Sequence, residues 1–422
     1  MDEVHGAAPE DAVPQRPRAK AKAKAVAPPF EVVTLIEDAI PLPPSDLLAH
    51  STPTTGPDEE AEAGAATLTA LFERFRIDAR HTGHSRGPVA VCHRIQPGPG
   101  SSAAQLVQFG PDIEYALPGA RMLSASSAGH LAVAVPTRLR ARVLLGDLLK
   151  TVPADTPDEL TAILGVGFTG RPVTISIPDL PHLLMAGTTG SGKSTCLHAI
   201  ITSILTRVQP EQAQMILIDT RSLELARYDR VAHLVTRVAT TGEKAAQALT
   251  WAAREAQARL DTFADVGKRN IEDFNTAVRA GHIHAPLSED RQPRLYPRLL
   301  IAIDDLADLL RSPQRREVQD ALFQIGTRGR ITGVHLIAGT RHPQAFALPP
   351  RVAATMPARL SFAATESASP TRDLTVGTAE LRVLGSDPVR VWCPDVTERE
   401  IDAVAGHWRH AAEAALRRLA QP

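Results

Sequence analysis

Pro181-His182-Leu183-Leu184-Met185-Ala186-Gly187-Thr188-Thr189-Gly190-Ser191-Gly192-Lys193-Ser194-Thr195 is the stretch that decides the fold of this chain of 422 residues. Leu183 to Ala186 read as a short buried strand. Gly187 to Ser194 fit the pattern G-x-x-x-x-G-K-[ST], and a helix is expected from Thr195 onward. Strand, glycine-rich loop and helix in that order are the context this pattern requires. Glycines let successive backbone N–H groups curl around a polyphosphate, and the helix N-terminus adds a favourable dipole. The expected cradle is Gly187, Thr188, Thr189, Gly190, Ser191, Gly192, Lys193, Ser194 and Thr195. Lys193 would reach the β- and γ-phosphates and the Ser194 hydroxyl would hold Mg²⁺, so ATP with Mg²⁺ is the expected ligand pair. A purely structural glycine turn leaves the Lys-Ser ending without a reason.

Working outward, further apolar runs alternate with helical stretches. Met215 to Ile218 form one and end in Asp219. Leu299 to Ile303 form another and end in Asp304-Asp305, and Val334 to Ala338 a third. Glu243 to Phe263 and Glu398 to Leu419 read as long helices. Continuous apolar strands separated by helices imply an α/β fold, a parallel sheet covered on both faces. This large domain is placed at residues 154–422. Asp304 closes a strand downstream of a complete phosphate loop, where a carboxylate on Mg²⁺ is needed, and Asp305 could orient the attacking water. Taken alone, an acid pair after a strand more often caps a helix.

Before the large domain, a small α/β domain is placed at residues 67–153. Leu68, Leu71, Phe72 and Phe75 have helical spacing, Val89 to Ile95 and Leu131 to Val135 read as strands, and Pro97-Gly98-Pro99-Gly100 as a turn. Residues 1–66 read as a disordered arm and a Pro-rich linker. In the arm Arg16, Arg18, Lys20, Lys22 and Lys24 alternate with small residues, which suits DNA, an acidic lipid surface or plain solvent. Hydrophobic residues make up 43% and charged residues 22%, ordinary for a soluble globular protein. The formal net charge is -1, so a DNA-binding surface would have to be local. Cys92, Cys196 and Cys393 are scattered and lack metal-ligand spacing, which fits a reducing compartment. With no apolar run of about 20 residues and no signal peptide, the expectation is a cytoplasmic protein without an integral membrane segment of its own.

Several segments resemble the FtsK/SpoIIIE family of double-stranded DNA translocases. They are the phosphate loop with its preceding Pro181-His182-Leu183-Leu184, the segment Gly267-Lys268-Arg269-Asn270-Ile271-Glu272-Asp273-Phe274-Asn275, the run Asp304-Asp305-Leu306-Ala307-Asp308-Leu309, and Gly329-Arg330-Ile331-Thr332-Gly333-Val334-His335-Leu336. In the small domain, Gly87-Pro88-Val89 and Ile95 to Gly100 are also similar to the family. The resemblance spans about residues 67–410. It implies a RecA-like P-loop core with a small N-terminal α/β domain, a homo-hexamer or a ring with related subunits, ATP between subunits and double-stranded DNA in the channel. Arg330 matches the family arginine that reaches a neighbour's nucleotide; by itself it reads as a surface arginine at a helix end. Lys268 and Arg269 would lie near DNA or simply in a solvated turn.

The chain departs from the family at specific points. Asp305 stands where the family has glutamate, Arg341 stands where it has a glutamine, and the segment between Gly377 and Val391 looks shorter. Neither a membrane-spanning region nor a C-terminal winged-helix module is recognisable. The expected activity is an ATP-dependent DNA translocase using Asp304, Asp305 and Arg330. The alternatives are a protein-secretion ATPase, which DNA-stimulated turnover would exclude, and a nucleotide-binding non-motor regulator with a weakened site.

Overall fold

The computed structural model describes residues 40–51, 58–87, 89–123, 131–137, 142–153, 160–167, 170–180, 182–221, 224–283, 294–341, 348–362 and 377–419. The basic arm expected at 1–29 lies outside them.

The small domain opens with α1 (Glu59–Arg74), followed by β1 (Ala79–Arg86), β2 (Ala90–Pro97), α2 (Ala103–Val107), α3 (Gly110–Ala116), β3 (Arg121–Leu123) and β4 (Leu131–Pro136). Its strands form an antiparallel sheet in the order β1-β2-β4-β3. Leu68 and Phe72 of α1 pack with Ile95, Leu106, Ile113, Leu131 and Val133 into one core. The acidic cluster Asp58, Glu59, Glu60 and Glu62, read from the sequence as linker, is instead the start of α1. Asp58 caps the helix by accepting a hydrogen bond from the Ala61 N–H at 3.0 Å, and the three glutamates fill the first turn, where carboxylates meet the positive end of the helix dipole.

The linker assignment is corrected a second time at residues 40–51, which run across the large domain. Ile40 and Leu48 are buried in its core. The Ala49 N–H donates to Glu400 Oε1 at 2.7 Å, Gln209 Nε2 to the Ile40 carbonyl at 2.8 Å, and His407 Nε2 to the Pro41 carbonyl at 2.7 Å. A Pro-rich segment has no periodicity to betray such docking, since its anchors are two apolar side chains and main-chain groups.

The large domain comprises α4 (Leu145–Thr151), β5 (Thr161–Val166), β6 (Pro172–Ser176), β7 (Leu183–Ala186), α5 (Lys193–Leu205), β8 (Ala213–Ile218), α6 (Gly242–Asp265), α7 (Ile271–Arg279), β9 (Arg298–Ile303), α8 (Leu306–Arg311), α9 (Arg315–Thr332), β10 (Val334–Thr340), α10 (Pro350–Thr355), β11 (Ala358–Phe362), β12 (Thr378–Arg382), β13 (Val389–Trp392) and α11 (Glu398–Leu419). Packing moves its start ahead of residue 154. Val143, Leu145 and Leu148 lie in the large-domain core, and the Asp395 N–H donates to the Val143 carbonyl at 2.7 Å.

Among the described residues the sheet has nine strands in the order β6-β5-β13-β12-β11-β7-β10-β9-β8. From β11 to β8 every pairing is parallel, as the continuous apolar runs require. The parallel sheet read from the sequence is therefore one side of a larger mixed one, because β12, β13, β5 and β6 extend it beyond β11 with antiparallel pairings. Helices α5 and α11 bury one face; α6, α8, α9 and α10 bury the other. Trp408 of α11 is fully buried and donates from its indole to the Leu205 carbonyl at 2.8 Å, which ties α11 to the end of α5. Among the described residues no helix is long and apolar enough to cross a membrane.

Beneath α11, His233 is fully buried, its Nε2 on the Val208 carbonyl at 2.8 Å and its ring edge-on to Trp408. Burial holds its pKa down to about 4 against an ordinary 6.5, because a charged imidazole there loses its water. His182 is held down to about 4 for the same reason. Between pH 6.5 and 4 the unfolded chain takes up these protons and the native chain does not. Their contribution is therefore intact above 6.5 and is lost as pH falls toward 4, by up to about 3 kcal/mol per group. The urea midpoint should drop between pH 7.5 and 4.5, and His233→Gln should flatten that drop. A midpoint that is constant over this interval contradicts the assignment.

Candidate nucleotide site

The phosphate loop leaves the carboxyl end of β7 and is pinned by its own backbone. The Gly187 N–H donates to the Thr340 carbonyl at 3.1 Å, at the end of neighbouring β10. At the other end of the loop, the Ser191 carbonyl accepts from the Gly377 N–H at 3.0 Å. Gly192 is the N-cap of α5 with φ of 100°, a left-handed conformation costly to any other residue. A Cβ there would also sit 2.8 Å from the Gly377 Cα. Lys193 and Ser194 then begin α5, so the loop opens directly onto a helix N-terminus of 13 residues.

β9 is separated from β7 by β10 and delivers Asp304 to the same edge of the sheet. Asp304 is 4% exposed, and its Oδ1 is buried without a hydrogen-bond partner among the described residues. Burial pushes its pKa up, Lys193 pulls it down, and Asp219, Glu224 and Asp305 push it up further. A buried, unpaired carboxylate oxygen is costly unless a cation meets it. The Ser191 hydroxyl is likewise buried and unpartnered. These orphaned groups and the curled backbone fit a metal-bound polyphosphate.

Asp305 takes the helix-capping role that an acid after a strand usually has, and it also carries an ion pair. It is the N-cap of α8, its Oδ1 accepting from the Ala307 N–H at 3.1 Å, and its Oδ2 pairs with Arg341 Nε at 3.0 Å. Burial raises its pKa. Arg341 follows β10 and lines a cleft of about 540 Å³ together with Thr188, Thr189, Gly190, Gly192, Lys193, Ser194, Thr195 and Asp304.

The cleft also holds residues that sequence reasoning did not assign. Arg221, Glu224, Arg227 and His198 line it, with Val396, Glu398 and Ile401 from the start of α11. Glu224 accepts from His198 Nε2 at 3.1 Å, the first of the causes that lower its pKa. Asp219 organises this wall: its carboxylate accepts from the N–H groups of Arg221, Glu224 and Leu225 at 2.9 to 3.1 Å. A strand ending in an acid was the available signal for Asp219; nothing in the spacing marked Glu224 or Arg221.

Arg330 is not part of this cleft. It is exposed in the last turn of α9. Around it, the motif is scaffold: Gly329 has no room for a Cβ, which would lie 2.1 Å from the Val334 carbonyl oxygen, and Gly333 is the C-cap. The segment 267–275 is also largely structural. Asn270 caps α7, Ile271 and Phe274 pack with Phe263, and Asn275 brackets the Tyr296 backbone with two 2.9 Å hydrogen bonds. Lys268 is half-buried, whereas Arg269 is exposed and paired with Asp273 at 3.2 Å.

A glycine loop running from a central parallel strand into a helix, with an acid-ended strand one place removed, defines a P-loop nucleotide-binding protein of the ATPase class. More particularly, the chain belongs to the FtsK/SpoIIIE family. The model of that family matches residues 145–347, and that of the FtsK alpha domain matches residues 42–136. The DNA translocase FtsK of Streptomyces avermitilis is 34% identical over 87% of this chain and 42% of its own length. That of Mycobacterium leprae is 32% identical over 97% of this chain and 49% of its own length, so the chain spans less than half of these relatives. Among solved structures, the conjugation coupling protein TcpA of pCW3, in monomer form with ATPgS, covers 85% of this chain and 99% of its own. Its identity is 17% and its TM-score 0.49, too weak a likeness to inform the site.

Gly192→Ala combines left-handed strain with a backbone clash that no rotamer relieves. It should weaken fluorescent-ATP binding by at least about tenfold while lowering thermal stability by about 1–3 kcal/mol. An alanine variant with unchanged affinity contradicts the loop geometry.

Proposed function

We propose that this chain binds ATP with Mg²⁺ in the cleft and hydrolyses it to drive movement along double-stranded DNA, as one subunit of a ring. The observation that carries the reading is the unpartnered, buried Asp304 oxygen at the same sheet edge as Lys193 and the loop. Family membership supplies the substrate class.

Each residue then has a definite task. The N–H groups of Gly187 to Thr195 cradle the phosphates, and Lys193 supplies the cation on the β- and γ-phosphates. Ser194 and Asp304 would hold Mg²⁺, which neutralises charge on the phosphate oxygens. Asp305 orients the attacking water. Arg330 is exposed and outside its own chain's cleft, as a residue serving a neighbouring subunit has to be, and there its charge stabilises phosphoryl transfer. Such a motor needs ATP and DNA together, which the cytoplasm provides. Contacts to DNA would be mainly to phosphates, hence salt-sensitive and weakly sequence-specific.

Steady-state ATP turnover, with and without duplex DNA and at two salt concentrations, tests this. Turnover should rise with DNA at low salt and lose that stimulation at high salt. Lys193→Ala should remove nucleotide binding and leave the fold intact. Turnover indifferent to DNA at both salts would sink the motor reading, and intact ATP affinity in Lys193→Ala would sink the site.

A further inference from the structure

The phosphate end of the cleft contains a pair in which the proposed water-orienting acid is already engaged by an arginine. Both Asp305 oxygens already have a partner, one the Ala307 N–H and the other Arg341, so a water at the Arg341-facing oxygen would have to share it with the guanidinium. Its side chain is 4% exposed, so water does not screen the contact, whereas that of Arg341 is 29% exposed and faces the cleft. The other cleft arginines are committed elsewhere: Arg221 to Asp308 at 3.2 Å, and Arg227 to Glu398 and Asp402.

Arg341 directly follows Thr340, whose carbonyl holds the first residue of the phosphate loop. It is thus the arginine whose backbone is tied to the loop, and its partner is the acid next to Asp304. A guanidinium presents five donors in a planar fork that suits phosphate oxygens bidentately. A nucleoside triphosphate brings more negative charge to this end of the cleft than a diphosphate does, and competes with Asp305 for the fork.

We propose that Arg341 exchanges partners: without nucleotide it is held by Asp305, and a nucleoside triphosphate draws it onto the terminal phosphate, freeing the Asp305 oxygen for water. This rests on the nucleotide reading of the cleft. The pair makes the site sensitive to the third phosphate, because breaking the Asp305 contact subtracts from triphosphate affinity and the new contact adds to it. A diphosphate neither breaks the pair nor gains from it. The cleft-facing Asp305 oxygen is thereby shared with the guanidinium, and a weaker acceptor for water, until the substrate is in place.

The test is equilibrium binding of ATPγS and ADP, each with Mg²⁺, to wild type, Arg341→Gln, Asp305→Asn, the double variant and Lys193→Ala. Arg341→Gln should weaken ATPγS by about tenfold or more while ADP stays within about twofold. Asp305→Asn should tighten ATPγS by about fivefold, because the arginine is released in advance. In the double variant that gain should vanish and the affinity should match Arg341→Gln, a non-additivity diagnostic of one shared contact. Retained ADP affinity reports that each variant is folded. Equal losses of ATPγS and ADP in Arg341→Gln, or a gain from Asp305→Asn that persists without Arg341, overturn the exchange while leaving the nucleotide site standing. Lys193→Ala should lose both ligands; if it binds them normally, the nucleotide reading fails and the exchange fails with it.

Discussion

The nucleotide site depends on one backbone contact, the Gly377 N–H on the Ser191 carbonyl. Gly377 is engaged on both sides, since its own carbonyl accepts from the Cys393 N–H at 2.8 Å. A chain of main-chain hydrogen bonds thus runs from the phosphate loop through the residue preceding β12 to the residue after β13. The loop's other end is held by Thr340 of β10. Fixed at both ends, the curl of N–H groups is preorganised for phosphate, which lowers the ordering cost of binding. The contact leaves no space for a side chain at Gly192, which ties the glycine of the motif to the strand hairpin and not only to its own dihedral angle.

The strands that hold the loop are the ones least visible in the sequence. β7, β8, β9 and β10 are buried on both faces and read as unbroken apolar runs. β12 (Thr-Ala-Glu-Leu-Arg) and β13 (Val-Arg-Val-Trp) alternate, are short, and belong to the antiparallel half of the sheet. β1 was missed for a related reason. Its sequence Ala-Arg-His-Thr-Gly-His-Ser-Arg is polar throughout, because it is an edge strand with one half-buried face and one in solvent. β6, β12 and β13 contribute through pairing more than through burial of a continuous apolar run, and pairing leaves little trace in composition; β5, buried from Ala162 to Val166, is the apolar exception.

The site was more legible than its surroundings. Lys193, Ser194 and Asp304 line one cleft, since parallel strands present their carboxyl ends, and the residues that follow them, at the same edge of the sheet. The opposite wall, built by Asp219, Glu224 and His198, depends on hydrogen bonds within a non-repetitive loop and carries no periodic signal. Motif residues also divide by role once placed. Asn270, Phe274, Asn275, Gly329 and Gly333 hold helices and turns, which leaves Arg269 and Arg330 as exposed cations on otherwise structural segments. Asp305 serves both purposes, capping α8 and facing Arg341, so a single side chain couples helix geometry to the charge balance of the cleft.

Movement along duplex DNA, proposed here as the work this cleft powers, can be measured. Displacement of a third strand from a duplex-borne triplex by the purified chain, followed with ATP and with ATPγS, measures that directly. Displacement should require hydrolysable ATP, grow with duplex length on the loading side, and be absent in Lys193→Ala. Turnover of ATP without any displacement would contradict it.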